Sequence, residues 1–148
     1  MLYCLDCEFN GFGGELISLA LSSEAGELYL VRPEDELNAM DAHDWVAEHV
    51  LPFLSLSDAR PTVLPLARFG RAIQAFLASD PAPTVVADWP EDLMHLMQCL
   101  IIAPGQMVKI PDLTLRLLHA SAYPSEITDA VQHNALWDAR ALRHAVLG

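Results

Sequence analysis

The sequence predicts an α/β fold: a mixed central sheet, made of a three-strand meander plus parallel strands, flanked by helices. Three observations carry that expectation. Up to Arg32 the chain holds three apolar runs parted only by short, glycine-containing gaps. After them, apolar residues alternate between strand-like runs and helix-like spacing. The length of 148 residues, 53% of them hydrophobic, suits one domain spanning residues 1–148 around one core.

The elements follow in order. "LYCLDCEF", residues 2–9, reads as strand one, and Gly11, Gly13 and Gly14 as the turn after it. Residues 16–22 and 28–32 read as strands two and three, and the short gaps between the strands suit antiparallel hairpins. A polar segment precedes a helix near residues 44–54, whose end Pro52 disturbs. Leu66, Phe69, Ile73, Phe76 and Leu77 recur at helical spacing and predict a helix over about 65–78. "TVVA", residues 84–87, is a short buried strand. "PEDLMHLMQCLI" opens a helix, with Pro90 and acids in its first turn. A strand over 107–110, a helix over 112–120 and a last helix over about 134–147 complete the chain.

Charge narrows the function. Lys and Arg total 8 against 20 Asp and Glu, a formal charge of -12. That argues against a broad basic face for nucleic acid, and fits carboxylates that gather cations. The N-terminus lacks a basic leader region, and the apolar stretch 93–104 is too short to span a bilayer. Three cysteines show no disulfide pattern, so a reduced, cytoplasmic protein with no membrane contact is expected. Cys4 and Cys7 would point to opposite faces of a strand, which favours core packing over a metal or redox pair. The apolar composition and short length predict a homodimer.

Asp6 and Glu8 lie two residues apart on one face of strand one. Buried and unpaired, two such carboxylates repel. Three readings are open: an edge strand with a solvated face, pairing with Lys or Arg, or coordination of divalent cations. In "HNALWDARALRHAV", His133 sits just before the last helix and Asp138 one turn inside it, beside an apolar stripe that turns it toward the sheet. "VVADWPEDLMHL" leads from a buried strand to Asp88 and then Asp92, a common capping position.

Together these segments resemble the DEDDh, or DnaQ-like, 3′–5′ exonucleases of the ribonuclease H fold. Asp6, Cys7 and Glu8 match the first motif, D-x-E; His133, Asp138, Ala139 and Arg140 match the last. "DCEF…ELISLAL", "WVAEHVLPFL" and "HNALWDAR" look like the small bacterial exoribonucleases that trim adenylate-rich RNA ends. In the middle motif, Asp88 and Trp89 stand where the family has His-Asn. The resemblance gives the ligand role to Asp92, with Asp88 as the alternative.

The resemblance implies a chemistry. Asp6, Glu8, Asp92 and Asp138 would hold two divalent ions, Mg²⁺ or Mn²⁺, with hard oxygen ligands. Two cations offset the repulsion between a phosphodiester and its attacking nucleophile. His133 would act as general base. The implied partner is the 3′ end of a single strand, RNA by the closer resemblance; a DNA-directed exonuclease and a non-catalytic acidic module remain alternatives. Phe9 and Trp89 flank proposed ligands and could stack a terminal base, although alternation turns Phe9 away from Glu8. Arg68, Arg71, Arg140 and Arg143 are candidates for holding phosphates.

Overall fold

The computed structural model describes residues 1–119 and 131–147. In chain order the elements are β1 (Leu2–Phe9), β2 (Leu16–Ser22), β3 (Glu27–Val31), α1 (Glu34–Ala39), α2 (Asp44–His49), β4 (Thr62–Val63) and α3 (Phe69–Leu77). β5 (Thr84–Ala87), α4 (Pro90–Cys99), β6 (Ile101–Ala103), β7 (Gln106–Met107), β8 (Thr114–Leu117) and α5 (Ala135–Leu147) follow. Among the described residues, six strands form one sheet in the order β4-β3-β2-β1-β5-β8, and β6 and β7 form a separate hairpin. β1, β2 and β3 pair as an antiparallel meander. β4 joins β3, β5 joins β1 and β8 joins β5, all in parallel. This is the α/β architecture with a mixed sheet that the sequence predicts.

Both faces of the sheet are covered, so β2 is buried along its whole length. Tyr3, Leu5 and Cys7 of β1 pack with Phe69 and Ile73 of α3 and Leu96 of α4. On the opposite face Ile17 and Ala20 of β2 pack with Val46 of α2 and Ala135, Leu136 and Ala139 of α5. Alternation along β1 therefore sends Cys4, Asp6 and Glu8 toward the α5 side. β1 lies inside the sheet, which removes the solvated-edge reading of its acids.

The structure corrects several expected elements. Residues 112–119 hold no helix: "TLRL" alternates with period two and adds as strand β8, while Ala120 lies outside the described residues. The strand expected at 107–110 falls earlier, in the β6–β7 hairpin. Pro104 and Gly105 turn that hairpin, Gly105 at φ 71°. The helix expected over 44–54 ends at His49, and a short 3₁₀ turn, Leu51–Phe53, carries Pro52. The polar segment after Arg32 contains α1, with Glu34, Asp35 and Glu36 in its first turn.

α3 crosses the end of α4 closely enough to require glycine at position 70. A Cβ there would lie 2.2 Å from the carbonyl oxygen of Cys99. Backbone cannot retreat as a flexible side chain would. Gly70→Ala should therefore cost about 1–3 kcal/mol, read as a drop of several degrees in the thermal unfolding midpoint.

Candidate metal centre

The site forms where β1 and β5 part. Their parallel pairing covers only Leu2–Cys4 against Thr84–Val86. Beyond it the Cys7 N–H donates to Asp92 Oδ1 at 3.3 Å. The crevice at the carboxyl ends of these strands, with β2 on one side and β5 on the other, is where open α/β sheets bind ligands. α4 enters it with Pro90 in its first turn and buries Asp92 at 3% exposure. On β2, Ala20 and Ser18 lie directly opposite Asp6 and Glu8. Both are small, which leaves room on that face. A bulge between Glu8 and Phe9 bends β1 at the site.

α5 supplies the other wall. Asn134 accepts the Trp137 N–H, a helix cap, and donates to Phe53 O and Tyr29 Oη. Tyr29 donates in turn to Leu54 O at 2.6 Å. This buried network fixes the start of α5 and the residue before it. His133 adopts φ 66°, an uncommon conformation for a residue with a Cβ. Its N–H donates to Asp138 Oδ2 at 3.0 Å, which ties it to the first turn of the helix.

The candidate ligands converge in two groups. Glu8, His133 and Asp138 offer ligand atoms within 4.8 Å of one another, and so do Asp6, Asp88 and Asp92. Asp92 and Asp88 thus both offer a ligand atom near Asp6. Beside these groups, Ser18 escaped sequence reading: its buried hydroxyl, on the residue opposite Glu8, has no hydrogen-bond partner among the described residues.

Electrostatics show what the cluster lacks. Burial first, and then the neighbouring acids, push Asp6 and Glu8 well above the usual carboxylate range. Asp92 is pushed up to about 8 and Asp138 to about 7, again chiefly by burial. None of the four described ion pairs reaches these acids. Asp6 Oδ2 and Asp138 Oδ1 are buried without a hydrogen-bond partner among the described residues. Buried carboxylate oxygens without partners, in a cluster of acids, are costly unless a cation or protons lie beside them. Hard oxygen donors of this kind suit Mg²⁺ or Mn²⁺ better than softer ions. The residues fit the group.

The repulsion has a sign that can be measured. The unfolded chain titrates these acids in the ordinary carboxylate range; the folded chain titrates Asp138 near 7 and Asp92 near 8. Between those limits the folded state holds more protons, so acidification favours folding. With divalent ions chelated, the unfolding midpoint should rise as pH falls from about 8 to about 5. A steady fall over that range would contradict the repulsion.

Around the cluster, the remaining candidates separate. Trp89 is 46% exposed, next to Asp88, with its ring 6.0 Å from that of Phe12, which is 87% exposed on the β1–β2 turn. Glu91 joins these segments, accepting from Gly13 N–H at 2.8 Å and Trp89 Nε1 at 3.3 Å. Phe9 packs against the α3–α4 core and tilts against His95 at 4.9 Å, on the other face from Glu8. The aromatic surface beside the acids is therefore Trp89 with Phe12. Arg140 does not reach out for phosphate: it forks onto Glu27, with both nitrogens at 2.8 Å, and lies over the Trp137 ring. Arg143 donates to Ser23 O and Arg71 to Gln74. No described helix is long and apolar enough to cross a membrane. Neither a protein-family model nor a curated protein sequence matches the chain.

Proposed function

We propose that this protein is a metal-dependent 3′–5′ exonuclease of the DEDDh kind, acting on the 3′ end of single-stranded RNA. The observation that carries the reading is the meeting of Asp6, Asp88 and Asp92 in one group and Glu8, His133 and Asp138 in another, the two groups close enough to raise each other's pKa values, from three separate segments of chain. Strands β1–β3 as a meander, with β5 and β8 added in parallel, are compatible with a ribonuclease H-like fold. The motif order D-x-E, Asp92, then His133 and Asp138 supports the family reading.

Each residue has a task that its position suits. Asp6, Glu8, Asp92 and Asp138 would hold two divalent ions, with Asp88 beside them. Such ions supply positive charge to the attacking and leaving oxygens of a phosphodiester. His133 takes the proton of the attacking water. Burial, with His49 nearby, lowers its pKa, so it is neutral and ready to accept at pH 7. The exposed Phe12–Trp89 pair offers a stacking surface for an unpaired base. The chain's acidity favours grip on a strand's end rather than on a long duplex.

The test is a ladder experiment. End-labelled single-stranded RNA and DNA oligomers, oligo-A among them, are incubated with Mg²⁺, Mn²⁺ or a chelator and resolved by length. Stepwise shortening from the 3′ end of RNA, abolished by chelation, is expected. Equal or faster shortening of DNA would move the substrate class. No shortening with either ion, together with no Mn²⁺ binding by calorimetry, would leave a non-catalytic acidic module.

A further inference from the structure

Segment 45–54, "WVAEHVLPFL", bears on the resemblance without supplying any carboxylate to the cluster. Its place in the fold gives it a task. The His133 imidazole makes no hydrogen bond among the described residues; only its backbone N–H is tied, to Asp138. What fixes the ring is packing. The Trp45 indole meets it edge to face, with centroids 4.9 Å apart and planes at 80°. Trp45 is itself held: it stacks on His49 at 4.7 Å and 17°, one turn along α2, and His49 Nδ1 lies 3.0 Å from the Trp45 carbonyl oxygen. Trp45 belongs to neither core and is 51% exposed. A half-exposed tryptophan outside the cores adds little to packing there, yet here it lies against the proposed base.

We propose that Trp45 is a positioning residue that holds the His133 ring toward the carboxylate cluster, with His49 as its backstop. The inference rests on the exonuclease reading above and adds a residue that the D-x-E, Asp92 and His133–Asp138 motifs do not contain. An imidazole anchored only by its backbone can rotate about χ1 and χ2. The aromatic wall removes rotamers that swing the ring away from the acids. A positioned base gains rate by orientation, and a shift of about 1 Å can cost two orders of magnitude.

Trp45→Ala should lower kcat on oligo-A about 10- to 100-fold while KM changes by less than about twofold, and Trp45→Phe should restore most of the rate. An unchanged kcat, or a loss confined to KM, would overturn the role. A second measurement needs no activity. In protein carrying ¹³C,¹⁵N-labelled histidine, the χ1 couplings of His133 should report one rotamer in the wild type and an average in Trp45→Ala. The His133 amide should stay hydrogen-bonded in both. Couplings that do not change would overturn the proposal whether or not the protein is a nuclease. Averaged couplings in a protein that cuts neither RNA nor DNA would instead remove the exonuclease reading and leave the positioning contact standing.

Discussion

Replacement of His133 by alanine is expected to lower the rate of 3′-end hydrolysis by about 10²- to 10⁴-fold, the usual contribution of a positioned general base. Mn²⁺ affinity should change little, because the buried carboxylate oxygens without a hydrogen-bond partner among the described residues belong to Asp6 and Asp138, which the substitution leaves in place. The structure makes the outcome a sharp one. His133 offers a ring nitrogen within 4.8 Å of ligand atoms of Glu8 and Asp138, close enough to serve as base or as ligand. The two roles separate in one pair of measurements. A base lost leaves binding calorimetry with Mn²⁺ as it was and lowers kcat. A ligand lost weakens Mn²⁺ and lowers kcat together. Full activity in the mutant would remove His133 from the mechanism. The substitution is gentle on the fold: His133 precedes α5, and the cap that starts the helix is made by the side chain of Asn134. Alanine at φ 66° costs some stability, but the N–H bond to Asp138 remains available.

What could be read from sequence followed from how local each signal is. The meander was legible because its gaps are short and its runs apolar, so pairing partners are neighbours in sequence. α5 was legible because one stripe of apolar residues runs its length. The fate of residues 112–119 was not. "TLRL" alternates over only four residues, and its partner, β5, lies far back in the chain. No local pattern states that an edge is open there. The site divides in the same way. Asp6 and Glu8 were visible as acids inside an apolar strand, and alternation gave them one face. The choice between Asp88 and Asp92 depended on where β1 and β5 part, which is a property of the sheet; the structure sets both acids near Asp6. Ser18 was hidden because a serine in a strand carries no signal until the register opposite Glu8 is known. Trp45 was hidden for a different reason: its importance lies in what it touches, and nothing in "DWVAEH" names His133.

The substitution Asp6→Asn is expected to abolish hydrolysis and Mn²⁺ stabilisation while making the metal-free protein more stable. The two effects have one cause. Asp6 is raised first by its burial and then by Asp92, Asp138, Glu8 and Asp88, so its charge is opposed from several sides at once. Asparagine keeps nearly the same shape, carries no charge and offers an amide N–H₂ that neighbouring carboxylates can accept. At pH 8, with a chelator present, the mutant should melt several degrees above the wild type, at about 2–4 °C per kcal/mol for a chain of this size. The gain should shrink as pH falls, because the wild-type acids then take up protons and lose the same repulsion. Saturating Mn²⁺ reverses the order. A single ion at a hundred times its dissociation constant stabilises the wild type by about 2.7 kcal/mol, and the mutant forfeits that gain. A carboxylate kept for structure would behave in the opposite way, since removing a well-partnered acid from a strand interior lowers stability with or without metal. The crossing of the two melting series under chelator and Mn²⁺ is thus the signature of acids held together for the sake of a cation, and it is read without any assumption about the substrate.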